Sequence, residues 1–313
     1  MLITTRDAVY AVKGPDADPA ERFLAEGIRC VAEGQHLDAV ALEDGRLAII
    51  RDGKARFLEP DLGDAKVTCM LLLTASPLEA LLGTRPAALY HLSGGGGAAR
   101  LGGFDALHVR TGWHTPWGGP PDVRSLAATP DGWIYADIHI GNVMVSPDRG
   151  RTWDPVNPDL NEDVHQVTTC PAAPDRVYAN TARAVYLSED RGQSWESRGK
   201  ALGHRYGRAV AVHPAKPNLC LASVSDGPRG ENVHGQLYRT ADGGRGWDHL
   251  ADGFPESTAQ NIDTFHLAVT PDGTGWASVG RTLYAGPVRA GAWRRVWQAP
   301  DEIVMLSAAG TRG

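Results

Sequence analysis

One eight-residue pattern occurs three times between positions 146 and 247 of this 313-residue chain, and it constrains the fold more than any other feature. Each copy has a hydroxyl residue at its first position, aspartate at its third, glycine at its fifth and tryptophan at its eighth. Each copy follows a short apolar run and leads into a second short segment, which predicts the turn of a β-hairpin. In such a turn the hydroxyl and carboxylate oxygens accept amide protons, glycine supplies a positive φ, and tryptophan covers the hairpin. The three copies span residues 146–153, 188–195 and 240–247.

The repeated turn resembles the Asp box, or BNR repeat, of sialidase-like and sortilin-like β-propellers. The chain is also similar to uncharacterised bacterial BNR-repeat propellers of this size. The resemblance covers about half of the chain, and it implies a fold without specifying a substrate. In that family the boxes are structural turns on the outer part of a blade, so we expect Asp148, Asp190 and Asp242 to stabilise the fold rather than to contact a ligand.

The spacing of the boxes divides the chain into four-stranded blades. Apolar segments near both termini lack a blade of their own, so pairing Leu2–Val12 with Glu302–Leu306 completes one more blade and closes the ring. We therefore predict an all-β protein, a single domain over residues 1–313 that forms a closed seven-bladed β-propeller; a six-bladed ring is the alternative. The other six blades are predicted over residues 28–63, 65–107, 122–157, 163–200, 206–254 and 263–298.

Composition limits the partners and the compartment. The 37 glycines and 21 prolines fit a protein with many tight turns, and the net charge of −6 argues against a nucleic-acid partner. The most apolar run, residues 67–82, is interrupted by polar residues and proline, so no membrane partner is expected. The first ten residues carry charges where a secretory signal would be apolar, and the four cysteines are far apart. These features predict a reduced, cytoplasmic protein.

The innermost strand of each propeller blade begins at one face, called the top face here, beside the central tunnel. Four predicted inner strands can be aligned on the prolines that end them, Pro130, Pro171, Pro214 and Pro271. Residues two apart on a strand share a face, so the positions six and eight before each proline should point at one mouth. Those positions hold Arg124, His165, Arg208 and Phe265, and Asp122, Asp163, Tyr206 and Asp263. The same count from Pro77 in a divergent blade gives Leu71 and Cys69.

Loops on the same face add further histidines, so a shared site is predicted there. Imidazoles and carboxylates are the usual ligands of a divalent transition metal such as zinc or manganese, although the same groups could act as general acid and base. Arg124 and Arg208 suit an anionic group, the alternative being ion pairs with neighbouring aspartates. The predicted metal ligands are His139, His165, His204, His234 and His266. The predicted catalytic residues are Asp163, Tyr206, Asp263, Arg124 and Arg208.

Two classes of function follow from these residues. The first is a top-face site for a small, anionic molecule in a metal-dependent hydrolase or lyase. The second is a non-catalytic scaffold that binds a protein, a peptide or a glycan, for which Trp113 and Trp117 offer stacking surfaces. Sialidase activity is not expected, because the chain has no Arg-Ile-Pro motif and Tyr206 has no evident glutamate partner.

Overall fold

The computed structural model describes residues 1–308, which form seven four-stranded antiparallel sheets arranged in a ring. The prediction of a seven-bladed β-propeller is confirmed. Two short helical segments, α1 (Gly102–Asp105) and a 3₁₀ turn (His108–Gly112), lie between the second and third blades. In the part of the chain that the structure describes, no helix has the length and apolar character needed to cross a membrane.

The blades are numbered from the first complete one, and their strands run from the axis outward. Blade 1 contains β4 (Ile28–Glu33), β5 (Asp38–Leu42), β6 (Leu47–Arg51) and β7 (Lys54–Leu58); blade 2 contains β8 (Lys66–Ala75), β9 (Leu78–Arg85), β10 (Leu89–Ser93) and β11 (Ala98–Arg100). Blade 3 contains β12 (Asp122–Ala128), β13 (Ile134–His139), β14 (Asn142–Ser146) and β15 (Asp154–Pro155); blade 4 contains β16 (Val164–Cys170), β17 (Ala173–Thr181), β18 (Ala184–Ser188) and β19 (Glu196–Ser197). Blade 5 contains β20 (Tyr206–His213), β21 (Lys216–Ser225), β22 (Gln236–Thr240) and β23 (Asp248–His249); blade 6 contains β24 (Leu267–Val269), β25 (Thr274–Val279), β26 (Thr282–Pro287) and β27 (Arg294–Gln298). Blade 7 contains β28 (Met305–Ser307), β1 (Leu2–Thr4), β2 (Ala8–Ala11) and β3 (Ala20–Leu24).

Blade 7 closes the ring with strands from both ends of the chain, as predicted. Strand β28 pairs antiparallel with β1, with Met305 opposite Thr4 and Ser307 opposite Leu2. The paired strand begins at Met305, three residues later than the predicted segment, although the Val304 amide already donates to the Thr4 carbonyl at 2.8 Å. Closure gives β1 a partner on both sides and so removes an unpaired strand edge.

The three Asp boxes join the third and fourth strands of blades 3, 4 and 5 and have the predicted turn chemistry. In the first, the Gly150 amide donates to Ser146 Oγ at 2.7 Å and the Thr152 amide donates to Asp148 Oδ1 at 2.8 Å. Gly150 has a φ of 89°, a left-handed conformation that favours glycine. The same bonds recur in the second and third boxes.

The hydrophobic core lies between neighbouring blades. The tryptophan that ends each box is buried against the preceding blade: Trp153 packs with blade 2, Trp195 with blade 3 and Trp247 with blade 4. Trp293 occupies the corresponding place between blades 5 and 6, where no box is present. Burying each large aromatic ring in an inter-blade seam ties the blades into one body.

The inner strands of the first five blades share one irregularity near the top face. In β4, β8, β12 and β16 the antiparallel register skips one residue, a β-bulge at Arg29, Thr68, Arg124 and His165 respectively. In β20 the register skips Arg208 and Ala209. A bulge re-aims the side chain of the unpaired residue, and Arg29, Thr68, Arg124 and Arg208 all line the top mouth of the ring.

The alignment of blade 2 on Pro77 was wrong. A second bulge between Leu72 and Thr74 lengthens β8, so Thr68, and neither Leu71 nor Cys69, occupies the position equivalent to Arg124. Cys69 is buried in the seam with blade 3, and Leu71 lines the lower part of the central channel.

Candidate functional site

The top mouth of the ring opens into a cavity of about 590 Å³, within the usual range of about 300–1,000 Å³ for small-molecule sites. Side chains or backbone from all seven blades line it. Phe265 forms part of its floor and also lines a second space of about 440 Å³ in the lower channel. The backbone of Phe265 is fixed, since its amide donates to Gln166 Oε1 at 3.2 Å and its carbonyl accepts the Leu306 amide at 2.8 Å.

Three of the predicted site residues meet at one side of the cavity, where blades 3 and 4 adjoin. His139 ends β13, Asp163 immediately precedes β16, and His165 is the bulged residue of that strand. Asp163 Oδ1 lies 3.2 Å from His139 Nδ1 and 3.2 Å from His165 Nε2. One ligand atom from each residue lies within 4.8 Å of the other two, and in residues 1–308 no other group of three or more such residues is this close. We call these residues the His-Asp-His trio.

The protonation of His165 follows from its neighbours. Its Nδ1 lies 2.5 Å from the Gly207 carbonyl oxygen, which can only accept, so Nδ1 carries the hydrogen and Nε2 of the neutral ring carries a lone pair. Burial lowers the pKa of His165 to about 4, so the ring is neutral at pH 7. The Tyr206 hydroxyl lies 3.2 Å from the same Nε2 and donates to it.

Asp163 is ionised beside these rings. Its burial opposes ionisation, but the close contact from His139 holds the pKa of Asp163 well below its ordinary value. Neither Asp163 Oδ1 nor His139 Nδ1 makes a hydrogen bond within the described part of the chain, although both atoms are buried. The trio therefore brings a carboxylate oxygen and two imidazole nitrogens to one point, and a divalent cation suits that point. The cation would take the Nε2 lone pair of His165 that here accepts from Tyr206.

The arginine–aspartate part of the predicted catalytic set forms a separate cluster. Arg124 Nη2 lies 3.1 Å and Arg208 Nη1 lies 3.4 Å from the same Asp263 oxygen. Burial would raise the pKa of Asp263, but the two guanidinium groups and the Thr264 amide lower it to about 2. Ion pairing, the alternative left open by the sequence, is thus the observed state of Arg124 and Arg208.

The remaining three predicted histidines lie apart from the trio. His204 and His234 both contact Asp226, with Nδ1–oxygen distances of 2.6 and 2.5 Å, because the long loop between β21 and β22 folds back onto the connection from blade 4. His266 is outside the cavity lining, and burial lowers the pKa of its imidazole. The expected grouping of five histidines around one cavity is therefore not what the structure shows, since only His139 and His165 share a ligand point.

The two candidate stacking tryptophans differ in exposure. Trp113 is 9% exposed and packs against Phe104, so it covers a blade seam. Trp117 is 53% exposed, lines the cavity rim, and its ring centroid lies 5.4 Å from that of His139.

Sequence reasoning missed three arginines that line the cavity, Arg6, Arg29 and Arg85. Arg29 stands in blade 1 where Arg124 stands in blade 3, but its strand does not end in a proline and so could not be aligned. Arg6 and Arg85 lie at the turns between the second and third strands of blades 7 and 2, next to the tunnel mouth. An alignment of the ends of the second strands would have found Arg6 and Arg85.

Comparison with known proteins supports the propeller family and leaves the activity open. Residues 141–263 match the family described as Sortilin, neurotensin receptor 3. No curated protein matches the chain in sequence. An ancestral GH74 enzyme is similar with a TM-score of 0.67 at 15% identity, over 93% of this chain and 40% of that one. The GH74 enzyme of Niastella koreensis is similar with a TM-score of 0.66 at 13% identity, over 94% and 51%.

YCF48 bound to a D1 peptide is similar over nearly the full length of both chains. Its TM-score is 0.61 at 16% identity, over 96% of this chain and 89% of that one. The chain spans about half the length of the GH74 enzymes that it matches. At these identities the similarity shows the fold alone.

Proposed function

We propose that the top cavity binds a small molecule and that the His-Asp-His trio holds a divalent transition metal for hydrolase or lyase chemistry. The observation that carries the proposal is the convergence of Asp163 Oδ1 with His139 Nδ1 and His165 Nε2 at 3.2 Å, without a hydrogen bond to Asp163 Oδ1 or His139 Nδ1 in the described residues. Zinc-type sites use this donor set, and a bound metal would supply Lewis-acid polarisation of a substrate oxygen.

The residues around the trio support this chemistry. The Gly207 carbonyl orients His165, as the outer contacts of metal-binding histidines commonly do. Tyr206 lies at the cavity wall next to His165, and burial raises the pKa of its phenol, so it keeps its proton near neutral pH and can donate it to a departing group. Asp263 holds Arg124 and Arg208 in fixed positions beside the cavity.

The four cysteines are buried, free thiols, which supports the proposed reducing, cytoplasmic setting.

Metal binding tests the proposal directly. The full chain is treated with a chelator, dialysed, and titrated with zinc or manganese by calorimetry, with elemental analysis of the recovered protein. We expect one ion per chain in the wild type and at least a tenfold loss of affinity in His165→Ala and in Asp163→Asn. His213→Ala is the matched control, because His213 is also buried on an inner strand but lies at its lower end.

Two results would refute the metal site: a wild type that binds no ion, or a His165→Ala protein that keeps its ion. Because His165 is fully buried, thermal melting must show that this variant folds, and Asp163→Asn provides the test if it does not.

A second candidate function is a non-catalytic scaffold for a peptide. The similarity to YCF48 bound to a D1 peptide supports it, since the two chains match over almost their whole length. The exposed Trp117 at the rim gives a peptide an aromatic surface. Retained peptide binding in a chelator, together with the absence of a bound ion, would favour this function over the metal site.

A further inference from the structure

The cavity is positively charged although the chain as a whole is not. Six arginines line it against three carboxylates, while the chain carries a net charge of −6. Low-dielectric walls concentrate such a local field, so the cavity attracts anions that the rest of the surface repels.

Only part of this positive charge is neutralised by the protein. Arg124 and Arg208 contact Asp263, and Arg85 pairs with Asp122. These three arginines are therefore held by carboxylates of the protein.

The other three arginines are available to a ligand. In residues 1–308 no carboxylate lies within 4.0 Å of Arg6 or Arg229, and the nearest one to Arg29 is Glu43, at 4.0 Å. Arg29 is held in place by its Nε, which donates to the Val67 carbonyl at 2.9 Å, while its Nη1 makes only the long contact with Glu43 and leaves room for a closer anion. Guanidinium forks without a close carboxylate match the oxygens of phosphate and carboxylate groups.

Two of these arginines lie far from the trio around the ring. Arg6 belongs to the β1–β2 turn of blade 7, and Arg29 is the bulged residue of blade 1. In a closed ring of seven blades, blade 7 is opposite the junction of blades 3 and 4, where the trio lies. The cavity thus has a metal-ligating side and a cationic side.

The third arginine reaches the cavity on an ordered loop. The Pro228 carbonyl accepts from Arg208 Nη2 at 3.3 Å and from Asn261 Nδ2 at 3.2 Å. The contacts of Asp226 with His204 and His234 fix the same loop at a second point. Arg229 is consequently carried by a segment that is anchored at two points, Asp226 and Pro228.

We propose that Arg6 and Arg29 form an anion subsite, to which Arg229 adds positive charge from the blade 5 loop, so that the substrate is a small molecule with a phosphate or carboxylate group remote from the group that reaches the trio. The inference that another group of the substrate reacts at the trio rests on the proposed function. The anion subsite itself does not rest on it, because its arginines bind an anion without a metal.

The test uses chelator-treated full chain at low ionic strength, titrated by calorimetry with inorganic phosphate and, separately, with acetate. We expect the wild type to bind at least one of the two anions, and the preferred one identifies the class of group. Arg6→Gln should weaken binding several-fold, and the Arg6→Gln/Arg29→Gln double variant at least tenfold. Arg56→Gln, an exposed arginine on β7 remote from the cavity, is the matched control and should bind like the wild type.

The outcomes separate this inference from the metal proposal. Binding of neither anion by the wild type, or equal affinity in the double variant, overturns the subsite. Loss of anion binding in His165→Ala alone also overturns it, because the anion would then lie at the trio. Anion binding that depends on Arg6 in a protein that takes up no metal supports the subsite while refuting the metal site. If Arg29→Gln does not fold, Arg6→Gln and Arg6→Lys decide.

Discussion

Asp137 offers a quantitative test of how a buried carboxyl shapes the stability of this propeller. It lies on β13 with no exposed surface, where its Oδ1 accepts the Ser125 amide at 3.1 Å and its Oδ2 lies 2.5 Å from Ser125 Oγ. Burial raises the pKa of Asp137 to about 7, against the opposing effects of Ser125 and Arg124. The folded state therefore binds this proton more tightly than the unfolded chain, whose carboxyl has a pKa of 3.8.

The sign and size of the effect follow from linkage. The folded state retains a proton that the unfolded state loses, so stability falls as the pH rises from about 4 to about 7. A difference of about 3 pKa units corresponds to roughly 4 kcal/mol in the free energy of unfolding, with a slope of about 1.4 kcal/mol per pH unit between pH 5 and 6. Asp137→Asn keeps an acceptor for the Ser125 amide and a donor toward Ser125 Oγ, but it cannot ionise. The variant should thus gain stability relative to the wild type as the pH rises.

Urea unfolding of both proteins at several pH values between 5 and 8 measures this gain. Asp190→Asn is the control with the opposite sign, because the bonds from Ser194 and Ser188 outweigh burial and lower the pKa of Asp190. The deficit of that control should be constant between pH 5 and 8 and should shrink only below about pH 4, so the control is followed to pH 3 as well. A difference between Asp137→Asn and wild type that is constant from pH 5 to 8 would refute the reasoning.

Three further predictions concern the scaffold. Asp190→Ala should lower the free energy of unfolding by roughly 1–3 kcal/mol through unpaired turn amides, measured by urea unfolding; a stable variant that lost metal or anion binding would contradict the structural role of the box. Asn180→Ala should cost about 2–4 kcal/mol by the same measurement, because Nδ2 of Asn180 donates across the seam to the Ala209 and Ser223 carbonyls at 2.7 and 2.9 Å. Deleting the chain from Met305 onward should lower the melting temperature and promote association through the exposed edge of β1, seen by light scattering; an unchanged melting temperature would count against closure by β28.

The sequence predicted the blades well because their signals are local. The box turns depend on a hydroxyl, an aspartate and a glycine within a few residues, and blade 7 followed from leftover strands at the two ends. The proline register also singled out Asp163 and His165, which lie 3.2 Å apart in the structure.

The grouping of side chains at the mouth could not be predicted in the same way. Asp226 gathers His204 and His234 because a long loop folds back, a contact between residues that are distant in sequence. The pairing of Arg124 with Asp263 joins blades 3 and 6 across the tunnel, and no periodicity within one blade encodes it. The second bulge of β8 shifted the register of blade 2. This bulge is a local feature, but no residue pattern in the sequence marks it.

The bulged residues of the inner strands have an evolutionary consequence. A residue that is skipped by the strand register contributes little to sheet pairing, so its replacement leaves the neighbouring hydrogen-bond ladder unchanged. The side chains at positions 29, 68 and 124 can therefore change without a change in the strand pairing of their blades. Selection can therefore change the specificity of the mouth at one of these positions at a time, while the strand pairing of the blades stays the same.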